Sequence, residues 1–259
     1  MELQPVQLFY EEHGKGTPVV FLHGYPLDHT IWDPLVPRLE KSARLILPDL
    51  RGFGQSPVPD GAYTMRLMAE DVVSLLDSLK IDKAIIVGQS MGGYVAMNFA
   101  HAYPNRLAGL GLISTQAAAD KPENRQGRYN TIELVTKKGI KSVADAMLPR
   151  LAARTELNEQ IHAIMMRTSV KGVVGALKGL AERPDATEWL SNIQVPSVVV
   201  IGRKDVIVPA EGVHTMVRLL PWSWLVEIPE VGHMPMMEAP DAVADAMQQL
   251  IRTVEANKK

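Results

Sequence analysis

Ala84-Ile85-Ile86-Val87-Gly88-Gln89-Ser90-Met91-Gly92-Gly93-Tyr94-Val95-Ala96-Met97 is the stretch that decides the fold. The apolar run 84–87 predicts a short buried strand, and 91–97 predicts a buried helix. Between them stands a serine with glycine two places before it and two places after it, the pattern of a nucleophile elbow. A turn this tight crowds its own backbone, and Gly88 and Gly92 remove side chains that would collide. The turn lifts the Ser90 hydroxyl clear of the sheet. It also sets Ser90 at a helix N-terminus, where free N–H groups stabilise developing negative charge. A serine between strand and helix also serves as a plain N-cap, so partners elsewhere in the chain decide between the two roles.

Outward from this turn, short apolar runs at 3–10, 18–22, 43–47, 107–113, 197–201 and 224–228 predict further strands. Between them Met65, Met68, Val72, Leu75, Leu76 and Leu79 recur at helical spacing. A second helical pattern, 242–254, is opened by Pro240 as a favourable first-turn residue. Strands alternating with helices predict an α/β fold, a mostly parallel sheet covered on both faces. One segment breaks the alternation. From 116 to 190 no strand pattern occurs, and Ile132, Val135, Val143, Met147, Leu151, Ile161, Ile164 and Met165 follow helical patterns. The expected organisation is a core of 1–115 and 191–259, with 116–190 inserted as a helical cap, or lid, over the active site. The alternative is a set of extra helices packed on the flank of the core.

The 259 residues fit one large α/β domain or two small ones. A formal net charge of −2 offers no basic footprint for nucleic acid. There is no cysteine, which excludes disulfides, thiolate catalysis and cysteine metal sites. No helical histidine pair has zinc spacing, so neither a metal nor a cofactor is implied. No apolar run approaches the ~20 residues that span a bilayer. Met1-Glu2-Leu3-Gln4-Pro5 is neither basic nor apolar, so no signal peptide is expected and the default location is cytoplasmic.

A serine hydroxyl needs an adjacent base to act as a nucleophile at neutral pH. Among the seven histidines, His233 follows the last predicted strand, and residues beyond the C-terminal ends of parallel strands reach the ligand crevice. His214 competes, but it sits in an amphipathic helical pattern. The base needs an orienting acid, and Asp205 follows the penultimate strand. After the strand at 107–113 the chain reads Ser114-Thr115-Gln116, with no carboxylate, which strengthens Asp205. The order Ser90, Asp205, His233 is one of the known chain orders of such a triad. An oxyanion hole needs two donors. The backbone N–H of Met91 and that of Tyr25, in the loop His23-Gly24-Tyr25-Pro26, are the candidates. His23 is expected to anchor that loop.

Five stretches now carry a resemblance to the α/β-hydrolase superfamily over nearly the whole chain. They are His23-Gly24-Tyr25-Pro26, Asp49-Leu50-Arg51-Gly52-Phe53-Gly54-Gln55-Ser56, Gly88-Gln89-Ser90-Met91-Gly92-Gly93, Gly202-Arg203-Lys204-Asp205, and Gly232-His233 with Glu238-Ala239-Pro240. The resemblance implies an eight-stranded, mainly parallel sheet with a helical cap, and Ser90, Asp205 and His233 as nucleophile, acid and base. Asp49 and Arg51 resemble the superfamily's structural loop. Relatives that dehalogenate alkyl halides or open epoxides carry aspartate at the elbow, so serine implies acyl transfer. The chain is similar to small serine carboxylesterases and to 3-oxoadipate enol-lactonases. An ester or lactone substrate is implied, with an apolar pocket wall drawn from Met91, Met147, Met165, Met234, Met236 and Ile207. A carboxylated lactone would need a cation, for which Arg125, Arg128 and Arg150 are the candidates. Pro26 follows an aromatic residue as in cofactor-free haloperoxidases, which implies perhydrolase side activity. Some relatives with an intact triad are ligand receptors with little turnover, the remaining alternative.

Overall fold

The predicted apolar runs at 18–22, 43–47, 84–87, 107–113 and 197–201 become strands buried along most of their length. The computed structural model describes residues 4–257. Seven strands form one sheet: β1 (Tyr10–Gly14), β2 (Pro18–Leu22), β3 (Arg44–Pro48), β4 (Ala84–Gln89), β5 (Leu107–Ile113), β6 (Ser197–Gly202) and β7 (Ser223–Ile228). Their order is β1-β3-β2-β4-β5-β6-β7, with β1 antiparallel to β3 and every other pair parallel. Ten helices accompany them among the described residues. They are α1 (Val36–Leu39), α2 (Met65–Ser78), α3 (Met91–Ala102), α4 (Pro122–Lys138), α5 (Ile140–Leu151), α6 (Asn158–Met166), α7 (Val170–Ala181), α8 (Ala210–Leu219), α9 (Pro235–Glu238) and α10 (Pro240–Ala256). No described helix is long and apolar enough to cross a membrane.

Two expectations need correction. The sheet has seven strands among the described residues, not eight. The first strand is not 3–10 but Tyr10–Gly14; Leu3 lies outside the described residues. Residues 4–9 stay out of the sheet because their backbone is engaged elsewhere. Val6 N–H donates to Asp71 Oδ1 at 2.8 Å, and Phe9 N–H donates to Ser56 Oγ at 2.9 Å. The true β1 sequence, Tyr-Glu-Glu-His-Gly, is the polar sequence of an edge strand.

Along the central strands successive side chains feed two apolar layers. Val20, Leu22, Ile86, Leu110, Leu112 and Val199 join the layer under α2, α3 and α8. Val19, Phe21, Ile85, Val87, Val198 and Val200 join the layer under α10 and the 3-10 helix His29–Leu35. Full burial of each such side chain contributes roughly 1.5–3 kcal/mol. Helix α2 starts where Thr64 accepts from the Leu67 N–H at 3.1 Å, and it buries Met65, Met68, Val72, Leu75 and Leu76.

Between β5 and β6 the described residues hold α4 to α7 and no strand. Helix α7 seats this segment on the connection between β3 and α2. Its Gly175 carbonyl accepts the Tyr63 N–H at 2.9 Å. A Cβ on Gly172 would overlap the Gly52 carbonyl, and one on Gly179 would overlap that of Tyr63. Helix α4 packs on α7, and α5 packs on α6.

Candidate active site

Ser90 occupies the turn between β4 and α3 with φ 51° and ψ −112°, a backbone conformation that costs energy in any L residue. Hydrogen bonds hold it there. Its N–H donates to the Ile113 carbonyl at 2.9 Å, and its carbonyl accepts Thr115 Oγ1 at 2.9 Å. A Cβ on Gly88 would overlap the Gly92 backbone, and a Cβ on Gly92 would overlap the carbonyls of Leu22 and His23. The two glycines therefore let β4, α3 and the β2 loop converge around Ser90.

His233 and Asp205 meet beyond the ends of β7 and β6. His233 Nδ1 lies 2.8 Å from Asp205 Oδ2, and both side chains are almost wholly buried. Asp205 Oδ1 accepts the N–H groups of Ile207 at 2.8 Å and Val208 at 3.1 Å. Burial opposes ionisation of Asp205, but His233 and the two N–H donors outweigh it and hold the carboxyl below its usual range. An ionised carboxylate accepts only, so the ring proton sits on Nδ1 and the Nε2 lone pair is free.

The elbow and the histidine loop are tied directly, because Gln89 Nε2 donates to the His233 carbonyl at 3.1 Å. No hydrogen bond joins Ser90 Oγ to the His233 ring among the described residues; in ligand-free sites this bond is often long and tightens on binding. Gly24 is close enough to Ser90 that a Cβ there would lie 3.2 Å from the serine Cβ. The backbone N–H groups of Tyr25 and Met91 donate no hydrogen bond among the described residues, although both residues are buried. Pro26 is also buried, and its carbonyl accepts Thr168 Oγ1 at 3.2 Å.

His23 braces this loop. It accepts the Leu50 N–H on Nε2 at 2.9 Å, so its Nδ1 carries the proton and donates to the Gly24 carbonyl at 2.9 Å. Complete burial drives its pKa down, against the opposing pull of Asp49. Asp49 accepts from the His29 backbone and ring at 2.9 and 2.7 Å and from Gln55 N–H at 2.8 Å. Arg51 donates twice to Asp71, both at 2.5 Å. Asp28, His29 and Asp49 bring donor atoms within 4.8 Å of one another. Asp28 already accepts Thr30 N–H and pairs with Arg167 at 3.2 Å, so internal partners hold this cluster together.

Glu238 was not foreseen in any role beyond its motif. It is 1% exposed, and it accepts four backbone N–H groups: Gly232 and Met234, on either side of the histidine, and Ala153 and Arg154, just past α5. The His233 N–H donates to the Leu151 carbonyl at 2.9 Å. The loop that carries the histidine is thus fastened to the helical segment.

A cavity of about 440 Å³ lies between that segment and the sheet edge, reaching Tyr25, Ile207 and Val208. Met147 and Ile207 line it, as do Arg128 and Arg150; Arg125, Pro26, Met91, Met165, Met234 and Met236 do not, nor do Ser90 and His233 themselves. Met165 and Met234 are fully buried in the apolar layer beneath. The expected apolar, methionine-rich wall is instead mixed, with Gln116, Asp120, Asn124 and Thr131 on it.

An alpha/beta hydrolase fold family model matches residues 17–240. A curated relative, the AB hydrolase superfamily protein YisY of Bacillus subtilis (strain 168), is 31% identical over 256 residues, covering 94% of this chain and 95% of its own. A solved thermophilic esterase from Thermogutta terrifontis, with malate bound, superposes with a TM-score of 0.92 at 40% identity, covering 95% of this chain and 93% of that one. The enol-lactonase from Burkholderia xenovorans LB400 superposes at 0.88 with 26% identity, covering 95% and 96%. With that match spanning most of its length, and with esterase and enol-lactonase structures among its neighbours, the chain belongs to the alpha/beta hydrolase fold family.

Proposed function

We propose that the protein is a serine hydrolase that cleaves carboxylic esters of small to medium acyl chain. The observation that carries this reading is the 2.8 Å contact between His233 Nδ1 and Asp205, which leaves Nε2 as a base at the sheet edge where Ser90 stands. Ser90 Oγ attacks the ester carbonyl while His233 Nε2 takes its proton. The oxyanion forms against the N–H groups of Tyr25 and Met91. His233 then protonates the leaving alcohol, and an acyl-enzyme remains on Ser90. Water activated by His233 releases the acid. Helices α4 to α7 act as a cap on a core formed by 1–115 and 191–259, and the substrate enters the cavity beneath them.

Hydrolysis of p-nitrophenyl esters from acetate to decanoate, wild type beside Ser90→Ala, tests the reading. Turnover that peaks at short or medium chains and falls by at least about 10³-fold in Ser90→Ala is the expected result. Equal rates in the two proteins would remove Ser90 as the nucleophile. A single stoichiometric burst without turnover would favour a receptor. Lactone hydrolysis is the second reading, supported by the likeness to the enol-lactonase and by the two arginines on the cavity wall.

A further inference from the structure

We propose that the cavity under the helical segment binds a free carboxylate, so that the preferred substrates are esters bearing a second, ionised acid group: half-esters of short dicarboxylic acids. The inference rests on the esterase reading and names its substrate class. The first observation is the Tyr25 hydroxyl. Its residue is 8% exposed and borders the cavity, yet the hydroxyl has no hydrogen-bond partner. A buried, unpaired hydroxyl costs free energy unless a ligand completes it. Burial keeps this phenol protonated, so it is a donor, and the charge of Arg128 acts on it.

Arg128 is the second, independent observation. Its Nε donates to Asp120 Oδ2 at 2.9 Å, while Nη1 and Nη2 have no hydrogen bond among the described residues. Asp120 is itself held by Arg183 at 2.9 Å, and Arg183 lies 4.2 Å over the Tyr94 ring. The relay Tyr94–Arg183–Asp120–Arg128 orients one guanidinium and leaves its terminal N–H groups for a ligand, a geometry that suits a carboxylate. Arg150, exposed at the rim, forms no ion pair among the described residues. Against these stand Asp120 and the exposed Glu123. On the wall itself Arg128 and Arg150 balance Asp120 and Glu123, and Arg183, behind the wall, pairs with Asp120 and adds one positive charge to the cluster.

The test compares monomethyl glutarate with methyl valerate, which share a chain length and differ in the terminal carboxylate. The ratio of their kcat/KM values cancels effects common to both. The expected ratio exceeds about ten in the wild type and falls about tenfold in Arg128→Gln, with smaller falls in Tyr25→Phe and Arg150→Gln. A wild-type ratio at or below one, or a ratio that Arg128→Gln leaves unchanged, overturns the proposal. If neither ester is hydrolysed, the esterase reading fails on its own, and calorimetric titration of glutarate into the Ser90→Ala protein decides the subsite. Saturable binding that Arg128→Gln weakens about tenfold upholds it; no binding, or equal binding, overturns it.

Discussion

The C-terminal edge of the sheet and the helical segment between β5 and β6 are built on different principles. At the sheet edge the backbone dictates position. Ser90 is held by the Ile113 carbonyl, by the Thr115 hydroxyl and by glycines that leave no room for a Cβ, and Asp205 is fixed by two N–H groups of its own loop. In the helical segment a mixture of charged, polar and apolar side chains sets the cavity wall, and Val135 is the one buried residue of α4. The first region tolerates almost no change. The second can change its lining while the reacting groups stay where they are. On the proposed reading, reacting groups and substrate lining thus sit in separately built regions.

The largest break in that comparison is expected at Asp205. Asp205→Asn preserves shape but offers a donor to His233 Nδ1, forcing the wrong tautomer, so kcat for a short ester should fall by about 10⁴-fold with the fold retained. Circular dichroism beside steady-state kinetics checks both halves; near-normal activity would assign the acid to another residue. Next comes Gly92→Ala, whose methyl overlaps two backbone carbonyls. A loss of roughly 3 kcal/mol in denaturant unfolding is expected.

A smaller effect should appear in the pH dependence of stability. His23 is held neutral, its folded pKa lying below the ordinary value near 6.5. The unfolded chain takes up this proton first, so stability falls as pH drops below about 6.5 towards the folded pKa. His29 has the opposite sign. Burial disfavours its charge, but the hydrogen bond to Asp49 wins and raises its pKa, so its contribution is lost as pH rises through that value. In His23→Gln the decline in stability between pH 6.5 and 5.5 should be shallower than in the wild type. An equal slope would show that the ring is not held neutral.

Gly127→Ala should have the smallest effect, and a favourable one. This glycine lies inside α4, and a Cβ there meets nothing within 4 Å. Removing a helix-interior glycine should stabilise by up to about 1 kcal/mol, read as a rise in Tm. Destabilisation instead would mean that the helical segment is as exacting as the sheet edge.

Legibility followed the same divide. Strands β2 to β6 were readable because strands inside a parallel sheet are continuous apolar runs, and β7, the half-buried edge strand, because its run is apolar too. The places of Ser90, Asp205 and His233 just beyond β4, β6 and β7 were readable for the same reason, their roles remaining the proposal. β1 was not, since an antiparallel edge strand needs no apolar run; the apolar residues before it attracted the strand assignment although their backbone is bonded to side chains. The cavity wall was least readable. Helical spacing says that Met165 is inward, not whether inward means core or cavity, and it means core. Arg183 carries no sequence signal at all: its role comes from Asp120, a residue 63 positions away. Asp120 stood in a polar stretch before a helix-opening proline, which reads equally well as a solvated turn.

Glu238 has a consequence for anyone who would rebuild this protein. Its four N–H partners come from two separate stretches of chain, one on either side of the histidine and one just after α5. A module graft that exchanged the whole insertion for a relative's would keep these bonds only where the new backbone presents two N–H groups at the places of Ala153 and Arg154; a different path there would strip a buried carboxylate of half its donors. The workable seam runs inside the insertion, with 151–154 kept as part of the host.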